Sequence, residues 1–307
     1  MKESFYVGTY TDKDAKGIYR FSYEDGKMYD PELFCTIGDP KYLCVFGDLL
    51  ASLCTVDGKG AVALIDRSGR IVAEKVIEEK GSCYIAGKGN RIYTANYHLG
   101  TFSLLEYDNG ELKHLNTILI KDKGGCHQIL FHEDTIMVPC LFLDRIMCYD
   151  FDLKEKGWIS FPEGSGPRHG VFDRAHRFLY VLSELSNELF KIDLSKGKIV
   201  ASTGVLKDGK THQKGSAALR MSKDEKYLYA STRFENVISV IDANRMELLQ
   251  CIDCGGDHPR DFVLEDDHLI CADRFSNEVV CFRLEDGLVG DITSRIAVPD
   301  GVAIQKW

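Results

Sequence analysis

The chain has 307 residues, a formal net charge of −9 at pH 7 and 44% hydrophobic residues, the composition of a soluble globular protein. This acidic balance excludes a general nucleic-acid-binding surface, which needs a basic stripe. No apolar segment resembles a signal peptide or a membrane-spanning helix, and the eleven cysteines have no framework spacing. We therefore expect a cytoplasmic protein with reduced thiols, without nucleic-acid or membrane partners, as a monomer or a weak homo-oligomer.

One apolar run recurs along the whole chain, each time after a polar turn. Successive runs begin 41 to 49 residues apart, which is the spacing of four-stranded propeller blades. The longest step contains the polar segment Lys207 to Gln213, which we interpret as an inserted loop. A short strand precedes each run, and two further strands follow it. The runs begin at Phe5, Leu49, Ile92, Ile136, Leu179, Leu228 and Leu269.

The phase of this repeat predicts how the chain closes. The chain starts at the recurring run itself, and it ends with a strand-like segment, Val302 to Lys306, that no such run follows. The first repeat lacks the short strand that precedes the run, and the segment at the C-terminal end is such a strand without a run. The last strand should therefore complete the first blade and cover its open edge. We therefore predict a single all-β domain, residues 1–307, folded as a seven-bladed β-propeller whose ring the C-terminal strand closes.

Residues that can carry chemistry lie where the first strand of each repeat begins and the second ends. In an antiparallel hairpin these two points share one end of the sheet. Arg168 and Glu184 are symmetric about His176, so we expect them to be cross-strand neighbours. Arginines gathered at a channel mouth in an acidic protein predict a site for a small anion. The same reasoning places on this rim Tyr10, Tyr97, His127, His169, Arg233, Arg260 and Arg274.

Other chemistries have weaker support in the sequence. Arg168, Arg260 and Arg274 could instead tie blades together through carbonyl groups or an acid of the neighbouring blade. Glu184 could be a simple ion-pair partner of Arg168 or Arg233. The lone pair Cys251 and Cys254 has no second pair beside it, and His127 with His169 lacks a third ligand. No P-loop, HExxH motif or dinucleotide fingerprint is present. We therefore predict neither a metal nor a cofactor.

Several motifs together resemble the seven-bladed β-propeller lactonase family, which includes bacterial propeller-type 6-phosphogluconolactonases and the carboxy-cis,cis-muconate lactonizing enzyme. They are YVGTYT, GIYRF, GCHQ, GSGPRH, SEL, ASTR, GGDHPRDF and ADRFSNEVVCF, and they span almost the full chain. One departure is Asp261, which follows Arg260 where many relatives carry histidine. The resemblance implies four catalytic residues, which are His127 in GCHQ, Arg168 in GPRH, Glu184 in SEL and Arg233 in ASTR.

This resemblance implies hydrolysis of a sugar-acid lactone, with 6-phosphogluconolactone as the favoured substrate. His127 would act as general base on a water, since the unperturbed pKa of histidine lies near neutral. Arg168 and Arg233 would hold the substrate anion or stabilise the oxyanion, and Glu184 would orient His127 or a cationic partner. The expected substrate-binding residues are His169, Arg260, Arg274, Tyr97 and Tyr10.

Two alternatives remain open from the sequence. The same groups could form a lactone by isomerising a carboxy-muconate-like diacid. The protein could also be a non-enzymatic propeller that binds a protein or a small anion, because propellers host many unrelated functions. An apolar surface patch would favour the binding protein, and a polar pocket at the channel mouth would favour the enzyme.

Overall fold

The computed structural model describes residues 2–207 and 212–307. Within these residues, 28 strands form seven four-stranded antiparallel sheets, so the predicted seven-bladed propeller is confirmed. Most of the predicted inserted loop, residues 208–211, lies outside the described residues. No helix in the described part is long and apolar enough to span a membrane.

The blades follow the repeat in chain order. Blade 1 contains β1 (Glu3–Thr9), β2 (Gly17–Glu24), β3 (Lys27–Thr36) and the last strand, β28 (Gly301–Lys306). Blade 2 contains β4 (Leu43–Phe46), β5 (Leu49–Val56), β6 (Lys59–Ile65) and β7 (Ile71–Glu78). Blade 3 contains β8 (Tyr84–Lys88), β9 (Arg91–Asn96), β10 (Thr101–Asp108) and β11 (Glu111–Leu119).

The other four blades have the same composition. Blade 4 contains β12 (Leu130–His132), β13 (Thr135–Cys140), β14 (Arg145–Asp150) and β15 (Glu155–Ser160), with a 3-10 turn, Leu141–Leu143, after β13. Blade 5 contains β16 (Pro167–Phe172), β17 (Phe178–Ser183), β18 (Glu188–Asp193) and β19 (Lys198–Gly204). Blade 6 contains β20 (Ser216–Met221), β21 (Tyr227–Thr232), β22 (Val237–Asp242) and β23 (Glu247–Asp253). Blade 7 contains β24 (Pro259–Glu265), β25 (His268–Asp273), β26 (Glu278–Glu285) and β27 (Leu288–Ala297).

The recurring apolar run forms the second strand of every blade. Strand β17 is buried along almost its whole length because neighbouring blades cover both of its faces. The outermost strand of the same blade, β19, alternates between exposed and half-buried residues. This difference follows from position, since a strand covered on both faces needs apolar residues throughout and an outer strand needs them only on one face.

The C-terminal strand closes the ring as predicted. Strand β28 pairs antiparallel with β1, with Phe5 opposite Lys306 and Val7 opposite Ile304. It also contacts the inner strands β4 and β24 of the two adjacent blades. The last residue, Trp307, packs its ring against Tyr6 at a centroid distance of 5.1 Å. The N-terminal blade is thus built from both ends of the chain, and its inner edge is paired.

The strand register at the rim differs from simple hairpin symmetry. In blade 5, Pro167 pairs with Ser183 and His169 with Leu182, so Arg168 is an extra residue in a β-bulge. Arg260 is the extra residue at the same place in blade 7. The predicted opposition of Arg168 and Glu184 is therefore wrong in register, although the two side chains do meet. A bulge bends its strand and redirects a side chain, and here it redirects two arginines.

Blade 4 departs further from the predicted pattern. Its first strand was expected to start at His127, but β12 begins only at Leu130. Upstream of β12, the backbones of Cys126 and Cys140 pair in an isolated antiparallel β-bridge, and both thiols are free. The His127 backbone N–H donates to Pro139 O at 2.9 Å. His127 is therefore fixed to the rim by backbone contacts outside the regular strand.

Candidate functional site

A polar cavity of about 220 Å³ lies at the rim where the first strands begin. Six of the nine residues expected at the site line it, namely Tyr10, Tyr97, His127, Glu184, Arg233 and Arg260. Arg168, His169 and Arg274 are not among the described residues that line it. Lys41, Gly81, Cys83 and His98 complete the lining.

Glu184 joins two arginines from neighbouring blades. Arg168 Nε donates to Glu184 Oε2 at 2.8 Å, and Arg233 Nη2 lies 2.9 Å from Glu184 Oε1. Burial alone would raise the pKa of Glu184, but the two guanidinium groups outweigh it and hold that pKa below its usual value. Glu184 therefore remains a carboxylate. It was expected to orient either His127 or a cationic partner, and it pairs with two cations, Arg168 and Arg233.

Arg168 lies behind the cavity. Its side chain is only 2% exposed, and its Nη1 donates to Ala217 O at 2.5 Å in the next blade. Burial, followed by repulsion from Arg233, lowers the pKa of Arg168 to about 10, so it is still charged at neutral pH. This geometry suits a residue that positions Glu184, whereas Arg233 reaches the cavity directly.

His127 is a neutral imidazole in this site. Burial, and then the positive charges of Arg168, Arg260 and Arg233, hold its pKa well below the usual value. Its pKa therefore departs from the near-neutral value of an ordinary imidazole, because the ring is almost completely buried. Its Nδ1 is buried and has no hydrogen-bond partner among the described residues. The ring packs edge-on against Tyr97 at a centroid distance of 6.0 Å.

His169 lies next to His127, away from the cavity lining. The two imidazole centroids are 5.1 Å apart, and His169 also packs edge-on against Tyr84 and Tyr42. Neither of its ring nitrogens has a hydrogen-bond partner among the described residues. Burial, with repulsion from Arg168, lowers its pKa well below the usual value. We interpret it as a neutral packing residue behind His127.

Tyr10 organises a second group of cations at the cavity. Three cationic groups lie over its ring, with centroid distances of 5.6 Å for Arg260, 5.8 Å for Lys41 and 4.2 Å for Arg274. Arg274 Nε also donates to Asp300 Oδ1 at 3.3 Å. Arg274 therefore supports Tyr10 from outside the cavity, which differs from the expected direct contact with the anion.

Sequence reasoning missed Lys41 and His98. A signal for Lys41 was present, because it follows Pro40 just as Arg168 follows Pro167 and Arg260 follows Pro259. This proline–cation pair begins the first strand in blades 5 and 7 and lies just ahead of it in blade 2, where β4 begins at Leu43. His98 has no comparable signal, since it lies in the turn after β9, where the other blades carry unlike residues.

Exposed aromatic residues occur in the turns that follow the second strands. Phe142, Phe234 and Phe275 are 52%, 48% and 45% exposed. Phe142 packs edge-on against Tyr97, and Arg233 lies beneath the ring of Phe234 at 5.8 Å. The polar cavity is thus flanked by apolar side chains. No group of three or more His, Cys, Asp or Glu residues is placed to hold a metal ion in the described part of the chain.

Fold and cavity together define a class of protein, a closed seven-bladed propeller with a cationic pocket at one channel mouth. The comparison with known families agrees with this class. Residues 4–306 match the family described as "Lactonase, 7-bladed beta-propeller". Since the match covers almost the whole chain, this protein belongs to that family.

Individual relatives share the full length of the chain. The 6-phosphogluconolactonase of Bacillus subtilis (strain 168) is 25% identical, with 98% of this chain and 97% of the relative covered. Among solved structures, a protein from Lactobacillus plantarum has a TM-score of 0.92 at 24% identity, with both chains fully covered. A periplasmic gluconolactonase of Pseudomonas aeruginosa has a TM-score of 0.89 at 20% identity, with coverage of 100% of this chain and 99% of that one. At these identities the structural matches establish the fold alone.

Proposed function

We propose that this protein hydrolyses a sugar-acid lactone, with 6-phosphogluconolactone as its preferred substrate. The observation that carries the proposal is the convergence of His127, Glu184, Arg233 and Arg260 on one polar cavity. Membership of the lactonase family and the similarity to the Bacillus subtilis 6-phosphogluconolactonase support it.

The reaction needs a base, and His127 can supply one. Its neutral ring can accept a proton from water as the water oxygen bonds to the lactone carbonyl carbon. Nδ1 is buried without a hydrogen-bond partner among the described residues, so we assign Nε2 as the nitrogen that accepts this proton. The three surrounding arginines keep the free imidazole a weak base, and the negative charge of a bound substrate offsets part of their effect. Substrate binding therefore raises the basicity of His127 just before proton transfer.

The negative charge of the tetrahedral intermediate also needs a partner. Arg233 lines the cavity, and its orientation is fixed by Glu184 and by the carbonyl of Gly215, to which its Nε donates at 3.0 Å. A preorganised donor of this kind stabilises an oxyanion by about 3 kcal/mol. The intermediate then collapses as the ring C–O bond breaks, and the protonated His127 returns its proton to the leaving alkoxide. The products are a hydroxyl group and an open-chain carboxylic acid, which then releases its remaining proton to solvent and becomes a carboxylate.

The discriminating experiment is a lactone screen with purified protein. Hydrolysis of 6-phosphogluconolactone above the spontaneous rate is expected, and His127→Gln should lower kcat about 100- to 10,000-fold. His176→Asn is the matched control, because His176 is exposed in the turn between β16 and β17, and its φ of 51° suits asparagine. Full activity in His127→Gln would remove His127 from the mechanism.

A parallel assay tests the alternatives. Conversion of a carboxy-muconate-like diacid to a lactone, without hydrolysis of any lactone, would favour the isomerase. The absence of both reactions, with a small anion still bound, would favour the binding protein. The cavity is lined mainly by charged and polar residues, and a polar pocket at the channel mouth favours an enzyme over a binding protein.

A further inference from the structure

The charges around the cavity do not balance. Glu184 is shared by Arg168 and Arg233, and Arg274 lies near the carboxylates of Asp300 and Asp12. Two cations remain on the cavity wall, Lys41 and Arg260. Among the described residues neither has a carboxylate within ion-pairing distance, although the protein as a whole is acidic.

Both of these cations are held in place without being neutralised. Each lies over the ring of Tyr10, Lys41 Nζ at 5.8 Å and Arg260 Cζ at 5.6 Å from its centroid. Lys41 Nζ also donates a long hydrogen bond, 3.5 Å, to the carbonyl of Gly81. A cation–π contact orients a charge but leaves it available to an anion. Tyr10, Lys41 and Arg260 therefore form a prebuilt anion subsite, which we name the Tyr10 subsite.

The Tyr10 subsite suits a doubly charged anion better than a singly charged one. A phosphate monoester carries −1.5 to −2 charges at pH 7 and three acceptor oxygens, which is enough to engage both cations. A carboxylate brings one charge and would leave one cation uncompensated in a partly buried place. The planar guanidinium of Arg260 can bind two phosphate oxygens at once, and the ammonium of Lys41 can bind a third.

We propose that the Tyr10 subsite binds the phosphate group of the substrate, and that Lys41 determines the preference for a phosphorylated over an unphosphorylated lactone. The inference rests on the proposed lactonase function for its reaction, but its anion-binding part is independent of that reaction. Glu184, Arg233 and His127 would face the lactone ring, and the phosphate would lie at the Tyr10 wall. Lys41 is then a specificity residue, and substituting it should leave the chemistry at the carbonyl intact.

The test compares two substrates, 6-phosphogluconolactone and glucono-δ-lactone, in wild type, Lys41→Met and Lys41→Arg. We expect Lys41→Met to lower kcat/KM for the phosphorylated lactone about 10- to 100-fold, mainly through KM, and to leave the unphosphorylated lactone almost unchanged. Lys41→Arg keeps the charge and should restore most of the preference. Lys80→Met is the matched control, because Lys80 is an exposed lysine on the same rim outside the cavity lining.

Calorimetry separates failure of this inference from failure of the proposed function. Titration with 6-phosphogluconate and with gluconate needs no turnover, and wild type should bind the phosphorylated acid at least 10-fold more tightly, a difference lost in Lys41→Met. If no lactone is hydrolysed but this binding difference is found, the proposed function fails and the subsite stands. If both lactones are hydrolysed equally well, or Lys41→Met lowers kcat for both alike, the lactonase stands and the subsite assignment is wrong.

Discussion

Removal of the Glu184 charge should destabilise the whole propeller. In Glu184→Gln, Arg168 and Arg233 lose their shared counter-charge at 2.8 and 2.9 Å, and both guanidinium groups remain nearly buried. Loss of one partner of a buried ion pair costs about 3–5 kcal/mol, because the remaining charge is uncompensated. For a chain of 307 residues the unfolding entropy at Tm is roughly 0.6 kcal/mol/K, so we expect Tm to fall by about 5–8 °C.

The assay is thermal unfolding followed by circular dichroism, with a surface ion pair as control. Glu79 lies 2.8 Å from Lys59 on exposed side chains, so Glu79→Gln should leave Tm unchanged. Lactone turnover should fall about 100-fold in Glu184→Gln at a temperature where the variant is folded, because Arg233 loses its fixed orientation. If Glu184→Gln melts within 1 °C of wild type, the two arginines do not depend on this carboxylate and the site geometry described above is wrong.

Three further predictions follow from the fold and the buried charges. Deletion of residues 299–307 exposes the inner edge of blade 1 and should cause aggregation with a sharply lower Tm, and a truncated protein that melts like the full chain would contradict ring closure by β28. Because the pKa of His127 lies well below its usual value, kcat/KM for glucono-δ-lactone, which has no phosphate to titrate, should not change between pH 5.5 and 8, whereas an inflection near 6.5 that disappears in His127→Gln would show an ordinary imidazole. Burial raises the pKa of Asp273 to about 7, so its folded form holds its proton more tightly than the unfolded chain, and its contribution to stability falls as pH rises from about 4 to 7. Urea titrations at pH 5 and 7.5 should show wild type losing about 2 kcal/mol more than Asp273→Asn between these values, and equal losses would contradict the raised pKa.

The architecture could be predicted because it follows from periodicity. All seven recurring runs, from Phe5 to Leu269, fall in the second strands of their blades. The unpaired segment at each end of the chain was enough to predict that β28 joins β1. A regular repeat of apolar strands has few ways to cover its surfaces, so the pattern and the fold are tightly linked.

The site was predicted only as a group of residues on one rim. Bulges at Arg168 and Arg260 shift the strand register by one residue, and no sequence pattern predicted them. The pattern therefore placed the arginines at the correct end of the sheet without showing that Arg168 is buried behind Glu184. Lys41 was missed although its proline–cation pair matches that of Arg168.

The sequence by itself determined the seven blades, the closure of the ring and the rim that collects the cations, because these depend on the spacing of apolar strands. Only the tertiary structure decided which cations are neutralised and which face the cavity. Arg168 and Arg233 share one carboxylate, whereas Lys41 and Arg260 lie against Tyr10 without one. The physical reason is that charge pairing and desolvation act over a few ångströms between blades, and residues from blades far apart in the chain meet only when the ring closes.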